Sequence, residues 1–414
     1  MKDKILENLD HPENLEKLYR ANKQDFSKSL ADISEEHDSD LIRYWKIRLA
    51  PDARLKSKRF SKQDLLIVIL LSLITGIVAK FPAFFSQLNE EFFYTRNLAI
   101  IVFNGIILYT FWQNRIFDKK RIAAYGLIIL ILALFVNLLP DIPSDSITLS
   151  LIHVPLLLWC LFGLSFISFD YKNTAKRIEF IRFNGELLIM TGLILIAGGA
   201  LAAITIGLFS AINMDIENFY MQYVAVFGGV AAPIVSIYLI RLYPNLTDKI
   251  APVIARVFTP LVLITLAVYL VSLIFSESKI SEDRDLLLLF NIMLLAVMAI
   301  IVFSVSELDK SKKKNIHVFI LLLLAVLAII INSVAMVAIV SRIAHGLTPN
   351  RTVVLISNVL IFVNLILIAK DLYRSYFRRS ALDTVEQTVA KYLTIYAAWT
   401  IVVIFILPFI FGLK

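Results

Sequence analysis

About eleven apolar runs, most of them close to twenty residues long, divide the chain from residue 65 to its end. Their approximate limits are 65–84, 98–113, 122–139, 147–169, 186–212, 219–240, 253–275, 286–305, 316–340, 352–370 and 392–412. A helix needs about 20 apolar residues to cross a hydrocarbon layer roughly 30 Å thick, because each residue advances it by about 1.5 Å. No water inside that layer can satisfy a free peptide group, so each run must close its hydrogen bonds along itself. The expected fold class is therefore all-α, a polytopic membrane helix bundle of about eleven transmembrane helices. Composition agrees: 58% of the 414 residues are hydrophobic, 18% are charged, and mean hydropathy is +0.77. A soluble chain is nearer half apolar and a quarter charged.

The connectors set an expected orientation. With the N-terminus in the cytoplasm, the inner connectors gather Arg115, Lys119, Lys120 and Arg121, then Lys172, Lys176, Arg177 and Arg182. Arg241 and Lys249 follow, then Lys310 to Lys314, then Lys370, Arg374, Arg378, Arg379 and Lys391. The outer connectors hold only Lys80, Arg96, Lys279, Arg284, Arg342 and Arg351, together with the acidic stretches around Glu90, Asp141 and Asp215. Positive charge favours the inside, so the chain reads as N-terminus in and C-terminus out. The net charge of +8 follows from these loops. No basic patch is interleaved with aromatics, which argues against nucleic acid as a partner.

Residues 1–64 form a separate region, a short cytoplasmic amphipathic helical leader, and 65–414 form the bundle. Leu15, Leu18, Tyr19, Phe26, Leu30 and Ile33 recur at helical spacing, and Pro12 suits a first helical position. A second helix is expected from Asp40 to Leu49. Two such helices cannot build much of a core alone, so they are expected to pack on each other, on the loops, on the membrane surface or on a partner protein reached through residues 1–50. The basic run from Arg54 to Lys62 reads as an anchor to anionic lipid, and Ser61 with Asp64 reads as a helix-opening capping box. No signal peptide is visible.

The stretch from Ser341 to Arg351 carries the densest chemistry. Gly346 permits a left-handed helix stop and Pro349 suits the next helix start. Arg342, His345 and Arg351 could hold a phosphate, a carboxylate or a lipid headgroup. The plainer reading is that both arginines snorkel to the headgroups around a tight turn. Asn213, Asp215 and Glu217 fall on the same expected side and could pair with the arginines across the outer mouth; alternatively they form a solvated acidic loop. The candidate ligand-binding set is Arg342, His345, Arg351, Asp215 and Glu217.

Elsewhere the chemistry is sparse. The fifth and sixth runs are rich in Gly and Ala, including Gly192, Gly198, Gly199, Gly228 and Gly229, which predicts close helix packing. Pro155, Pro233 and Pro260 are expected to bend their helices. Lys80 and Glu186 lie near run ends, within reach of the interface. Asn104, Asn291, Asn332, Asn358 and Asn364 read as interhelical hydrogen bonds. The single cysteine, Cys160, excludes an internal disulfide. His153, His317 and His345 are scattered, so no metal set is expected. No nucleophile elbow or phosphate loop appears, so no catalytic residues and no cofactor are expected and the chain leans away from an enzyme.

At Gly346-Leu347-Thr348-Pro349-Asn350-Arg351 the chain resembles a bacterial multi-pass membrane family described only as a domain of unknown function, whose members carry a Gly-Leu-Thr-Pro-x-Arg turn after a long span. The stretch Pro12 to Arg20, with Trp45, Arg48 and Leu49, resembles the cytoplasmic leader of Bacteroidetes-type members. The resemblance implies a bacterial inner-membrane protein and supplies no substrate. Two functions are expected to compete: a transporter or lipid- or anion-handling protein with an outward-facing polar site, and a non-transporting subunit or scaffold. Membrane lipid is the expected partner of both.

Overall fold

The computed structural model describes residues 2–9, 11–21, 26, 29–30, 33, 40–49, 62–85, 88–211, 214–275, 284–308, 316–344, 346–378 and 381–413. Ser61 lies outside them, and so do Asn213 and His345. The chain divides into two compact units, Met1–Gln63 and Asp64–Lys414.

The first unit holds α1 (Lys2–Leu6), α2 (Pro12–Ala21) and α3 (Asp40–Leu49). Pro12 opens α2, where its missing N–H costs no hydrogen bond. The unit builds more of a core than two helices promise. Ile5, Leu15, Phe26, Leu30, Ile33, Ile42 and Trp45 are all buried together. The difference comes from Ile5 of α1 and from Phe26, Leu30 and Ile33, which add four of these side chains. Rings of Tyr19, Phe26 and Trp45 meet edge-on or tilted at 4.8–5.7 Å. Arg48 covers Trp45, with its guanidinium 4.8 Å from the ring, and donates to Glu16 at 2.9 Å.

The second unit contains α4 (Lys62–Ala79), the short α5 (Phe81–Phe84), α6 (Glu90–Gln113), α7 (Lys119–Leu138) and α8 (Asp145–Phe166). Then come α9 (Thr174–Ala211), α10 (Glu217–Leu242), α11 (Pro244–Phe275) and α12 (Arg284–Ser306). The chain ends with α13 (Ile316–Ile343), α14 (Pro349–Arg378), α15 (Asp383–Phe405) and the short α16 (Leu407–Ile410). Among the described residues nine of these helices are long and apolar enough to cross a membrane, and no strand is present. The remaining two long helices, α11 and α12, coincide with the seventh and eighth apolar runs and hold the shorter apolar stretches Phe258–Val268 and Asn291–Ser306.

Local chemistry starts several helices. Asn89 accepts from the N–H groups of Glu91 and Phe92, Asp118 from Lys120, and Ser144 from Ile147. Each supplies an acceptor to a first turn that has no carbonyl of its own to use. Asp64, expected to share a capping box with Ser61, accepts a hydrogen bond from the Trp112 indole at 3.0 Å, tying α4 to α6.

Apolar packing falls into two main groups. One draws on the start of α9 and on α11 to α15, around Ile301, Leu324, Ile331 and Ile368. The other draws on α4, α6, α7, α8, α9 and α10, around Ile107, Tyr109, Phe162 and Ile237. Ser150 of α8 donates to the Ile404 carbonyl of α15 at 3.1 Å, helping to join them. The fifth apolar run is only part of α9, which begins at Thr174 and carries Lys176, Arg177 and Arg182 on the helix itself rather than in a loop.

Two expectations are corrected. The Gly-rich faces are not packed: a Cβ added at Gly192, Gly198, Gly199, Gly228 or Gly229 would meet nothing within 4 Å. The most apolar window of α9 has 0% of its residues buried. The glycines that do admit close neighbours are Gly76 against Phe227, Gly105 against Ile234, Gly163 against Phe180 and Gly185 against Phe303. Small size permits close approach, but a neighbour must also be there. Likewise, Lys80 and Glu186 are not extended to the interface but buried, at 6% and 8% exposure.

Candidate functional site

The turn between α13 and α14 is built by local bonds. Gly346 has φ +124°, a conformation in which a side chain would be strained, and its N–H donates to Ile343 at 2.9 Å. Thr348 caps α14: its hydroxyl accepts from the Arg351 N–H at 3.3 Å, and its carbonyl accepts from the Thr352 N–H at 3.0 Å. Pro349 is the buried first residue of that helix. Arg351 folds back over the turn, and its Nη1 donates to the Gly346 carbonyl at 2.6 Å. Arg342 sits in the last turn of α13. In the loop before α10, Asp215 accepts from the Glu217 N–H at 3.1 Å. The bonds of Arg351 and Asp215 thus close their own loops, and neither crosses to the other. Glu217 is exposed at the first turn of α10.

Three other arginines clamp helices together. Arg96 of α6 is buried and donates to the carbonyls of Val136 and Leu139 at 2.5 and 2.8 Å and of Pro140 at 3.2 Å, with Asp141 3.7 Å away. Arg182 of α9 donates from Nε to Glu307 at 3.1 Å and from Nη2 to the Ser306 carbonyl at the end of α12. Arg177 donates to the Ala390 carbonyl and the Thr394 hydroxyl of α15. Arg96 and Arg182 use their forks on carbonyls that a helix end leaves free, whereas Arg177 bonds the interior of α15. In the loop before α9, Asp170 accepts a hydrogen bond from Lys176 of that helix at 2.9 Å, and that hydrogen bond holds the Asp170 carboxyl below its ordinary pKa.

Beside the Arg182 clamp lies a small polar pocket, lined by Arg256 and Thr259 of α11, Ser304 of α12, Glu307, and His317 of α13. Its volume of about 20 Å³ is enough for one water. Thr259 spends its hydrogen on the Ala255 carbonyl at 2.6 Å, so the 2.7 Å contact with Ser304 uses the serine hydrogen. Sequence reasoning placed Arg182 in a connector and did not single out Glu307; nothing in a linear pattern pairs residues 125 apart.

A larger feature lies between α4 and α6. Leu71, Ile74, Thr75 and Val78 face Phe93, Asn97, Ile100, Ile101, Asn104, Gly105 and Leu108 across a groove of about 310 Å³. Ile74, Val78 and Leu108 are each more than 40% exposed, so the groove opens sideways. Along α6 it runs from Phe93 to Leu108, about 22 Å at ~1.5 Å per residue. Its polar wall is spent on helix contacts. Asn97 and Asn137 exchange amide hydrogen bonds at 2.9 and 2.8 Å, and Asn104 accepts from the Tyr125 hydroxyl. The other amides also bridge helices: Asn332 donates to the Asn358 carbonyl, Asn358 to Asn291, and Asn364 to Tyr396.

Many long apolar helices, joined by polar clamps and short connectors, make this an integral, multi-pass membrane protein. No family model, curated protein or solved structure matches the chain.

Proposed function

We propose that this is a permease-like protein of a bacterial inner membrane that transports or otherwise handles a lipid or small anion. In this reading α4, α6 to α15 supply eleven spans with the N-terminus inside and the C-terminus outside. The outward-facing polar site comprises Arg342, His345, Arg351, Asp215 and Glu217. The sideways-open groove between α4 and α6 carries the reading: it is apolar, runs much of a bilayer's thickness and suits a hydrocarbon chain. Arg351 adds support, because Nη1 alone is spent on the turn and the rest of its fork is available to an anion. Membership of the Gly-Leu-Thr-Pro-x-Arg family belongs to the same proposal; the positive φ of Gly346 and the cap at Thr348 give that turn a structural reason.

Mass spectrometry of the gently solubilised protein tests it. A stoichiometric lipid or small anion is expected, and Arg351→Ala should release it. Retention unchanged in that variant would remove the outer turn from the reading.

One observation favours a second reading, a membrane subunit that docks a protein. The first unit has its own core and an open groove of about 640 Å³ lined by Pro12, Leu41, Tyr44, Trp45 and Arg48, with Tyr44 68% exposed. A stoichiometric protein partner lost on deleting residues 1–50, and indifferent to Arg351, would select it.

A further inference from the structure

A second cation lies at the end of the bundle assigned above to the outside, and its surroundings differ from those of the arginines. Lys80 directly follows the membrane-length helix α4 and is 6% exposed. Its ammonium lies 4.9 Å from the centroid of the Tyr223 ring. Among the described residues no carboxylate, carbonyl or hydroxyl accepts a hydrogen bond from it. The placement follows from a helix crossing. Gly76 lets Phe227 of α10 come against α4, and one turn further along each helix Lys80 meets Tyr223. Tyr223 stands in a π-helical turn, Tyr220–Ala225, within α10. Such wide turns recur at functional sites. Gln222 and Tyr223 of that turn are exposed, so the site can be reached.

The Lys80 stem is buried while its ammonium keeps some contact with solvent. An aromatic face is only a partial partner for a cation, so an added anion would complete its surroundings. In the loop before α10 Asp215 caps its own turn, and among the described residues no carboxylate forms an ion pair with Lys80. Residue 80 also directly follows a helix long and apolar enough to cross a membrane. We propose that Lys80 and the π-turn at Tyr223 form a binding site for a phosphate-type anion, either a phospholipid headgroup or free phosphate. The site is separate from the turn at 341–351 and does not depend on the permease reading.

The test uses the full chain in a phosphate-free maltoside detergent, with thermal unfolding followed as phosphatidylglycerol or inorganic phosphate is added. At least one probe should raise the unfolding temperature saturably in the wild type and in Lys80→Arg. A response to both probes identifies the phosphate group itself as the ligand, and a response to phosphatidylglycerol alone identifies the lipid headgroup. Lys80→Gln should weaken the apparent affinity by about tenfold or more, the scale of one charge-assisted hydrogen bond. Tyr223→Leu should weaken it several-fold and keeps the test open if Lys80→Gln does not fold. A wild type indifferent to both probes overturns the proposal, as does an equal response in Lys80→Gln or, where that variant does not fold, in Tyr223→Leu. Arg351→Ala should respond as the wild type does; a response lost there and kept in Lys80→Gln would place the anion at the other turn and remove this site.

Discussion

Arg96 Nη1 donates to the Leu139 carbonyl at 2.8 Å across 43 residues of chain, and the same nitrogen reaches Val136 at 2.5 Å. One buried side chain on α6 thereby satisfies the last carbonyls of α7, which have no N–H of their own helix to use. Arg96→Leu should remove these bonds and leave buried oxygens unpaired, at a cost of about 2–4 kcal/mol. Arg96→Lys should recover only part, because a single ammonium can replace Nη1 at two carbonyls but not also Nη2, which reaches Pro140 and Asp141. Reversible unfolding in mixed detergent would measure both; a loss below about 0.5 kcal/mol for Arg96→Leu would contradict the clamp.

The glycines separate into two groups with opposite expectations. Gly185→Ala places a methyl group into the Phe303 ring, so it should destabilise by about 1–3 kcal/mol. Gly198→Ala meets open space on a helix and should be neutral or stabilising by up to about 1 kcal/mol. Comparing the two unfolding midpoints checks both, and equal destabilisation would show that the face at Gly198 is covered.

Asn97 and Asn137 bond reciprocally, amide to amide. A double-mutant cycle with Asn97→Leu and Asn137→Leu should show coupling of about 0.6–1.7 kcal/mol, the range for interhelical hydrogen bonds in membranes. Additive losses would rule the pair out.

Asp170 accepts from Lys176, which lowers its pKa in the fold. A depressed carboxylate contributes stability above its unfolded pKa of about 3.9 and loses it as pH falls through the lower folded value. The pair is exposed, so the contribution is small and screened by salt. A carbon-detected NMR titration should place the Asp170 midpoint below that of an unpaired aspartate, and Lys176→Met should return it upward.

Much of the architecture was legible because backbone hydrogen bonding inside a hydrocarbon layer leaves few options. The apolar runs correspond to helices α4 and α6 to α15, and Gly346 and Pro349 do stand at a helix stop and a helix start. Errors lay where the outcome depends on neighbours. Helix α9 starts at Thr174, twelve residues ahead of the run at 186, because charged residues with good helix propensity continue a helix beyond the apolar limit. Gly198 and Gly199 looked like packing residues, yet Gly76 and Gly185 are the ones pressed against rings. At the candidate site, the roles of Gly346 and Pro349 were readable from local turn chemistry, whereas the cap by Thr348 was not singled out and the return of Arg351 to Gly346 was not readable.

The amino-acid order alone determined an all-helical membrane protein, the approximate position of each long helix and the turn at Gly346, because each follows from hydropathy or local backbone preference. Tertiary structure decided which polar groups meet: Arg96 with Leu139, Arg182 with Glu307, Lys80 with Tyr223. The reason lies in the solvent. Lipid is as apolar as the bundle's interior, so a spanning helix need not mark its inner face with a stripe of hydrophobic residues. Its rotation and its neighbours are settled only when packing and the few polar side chains find their partners across the bundle.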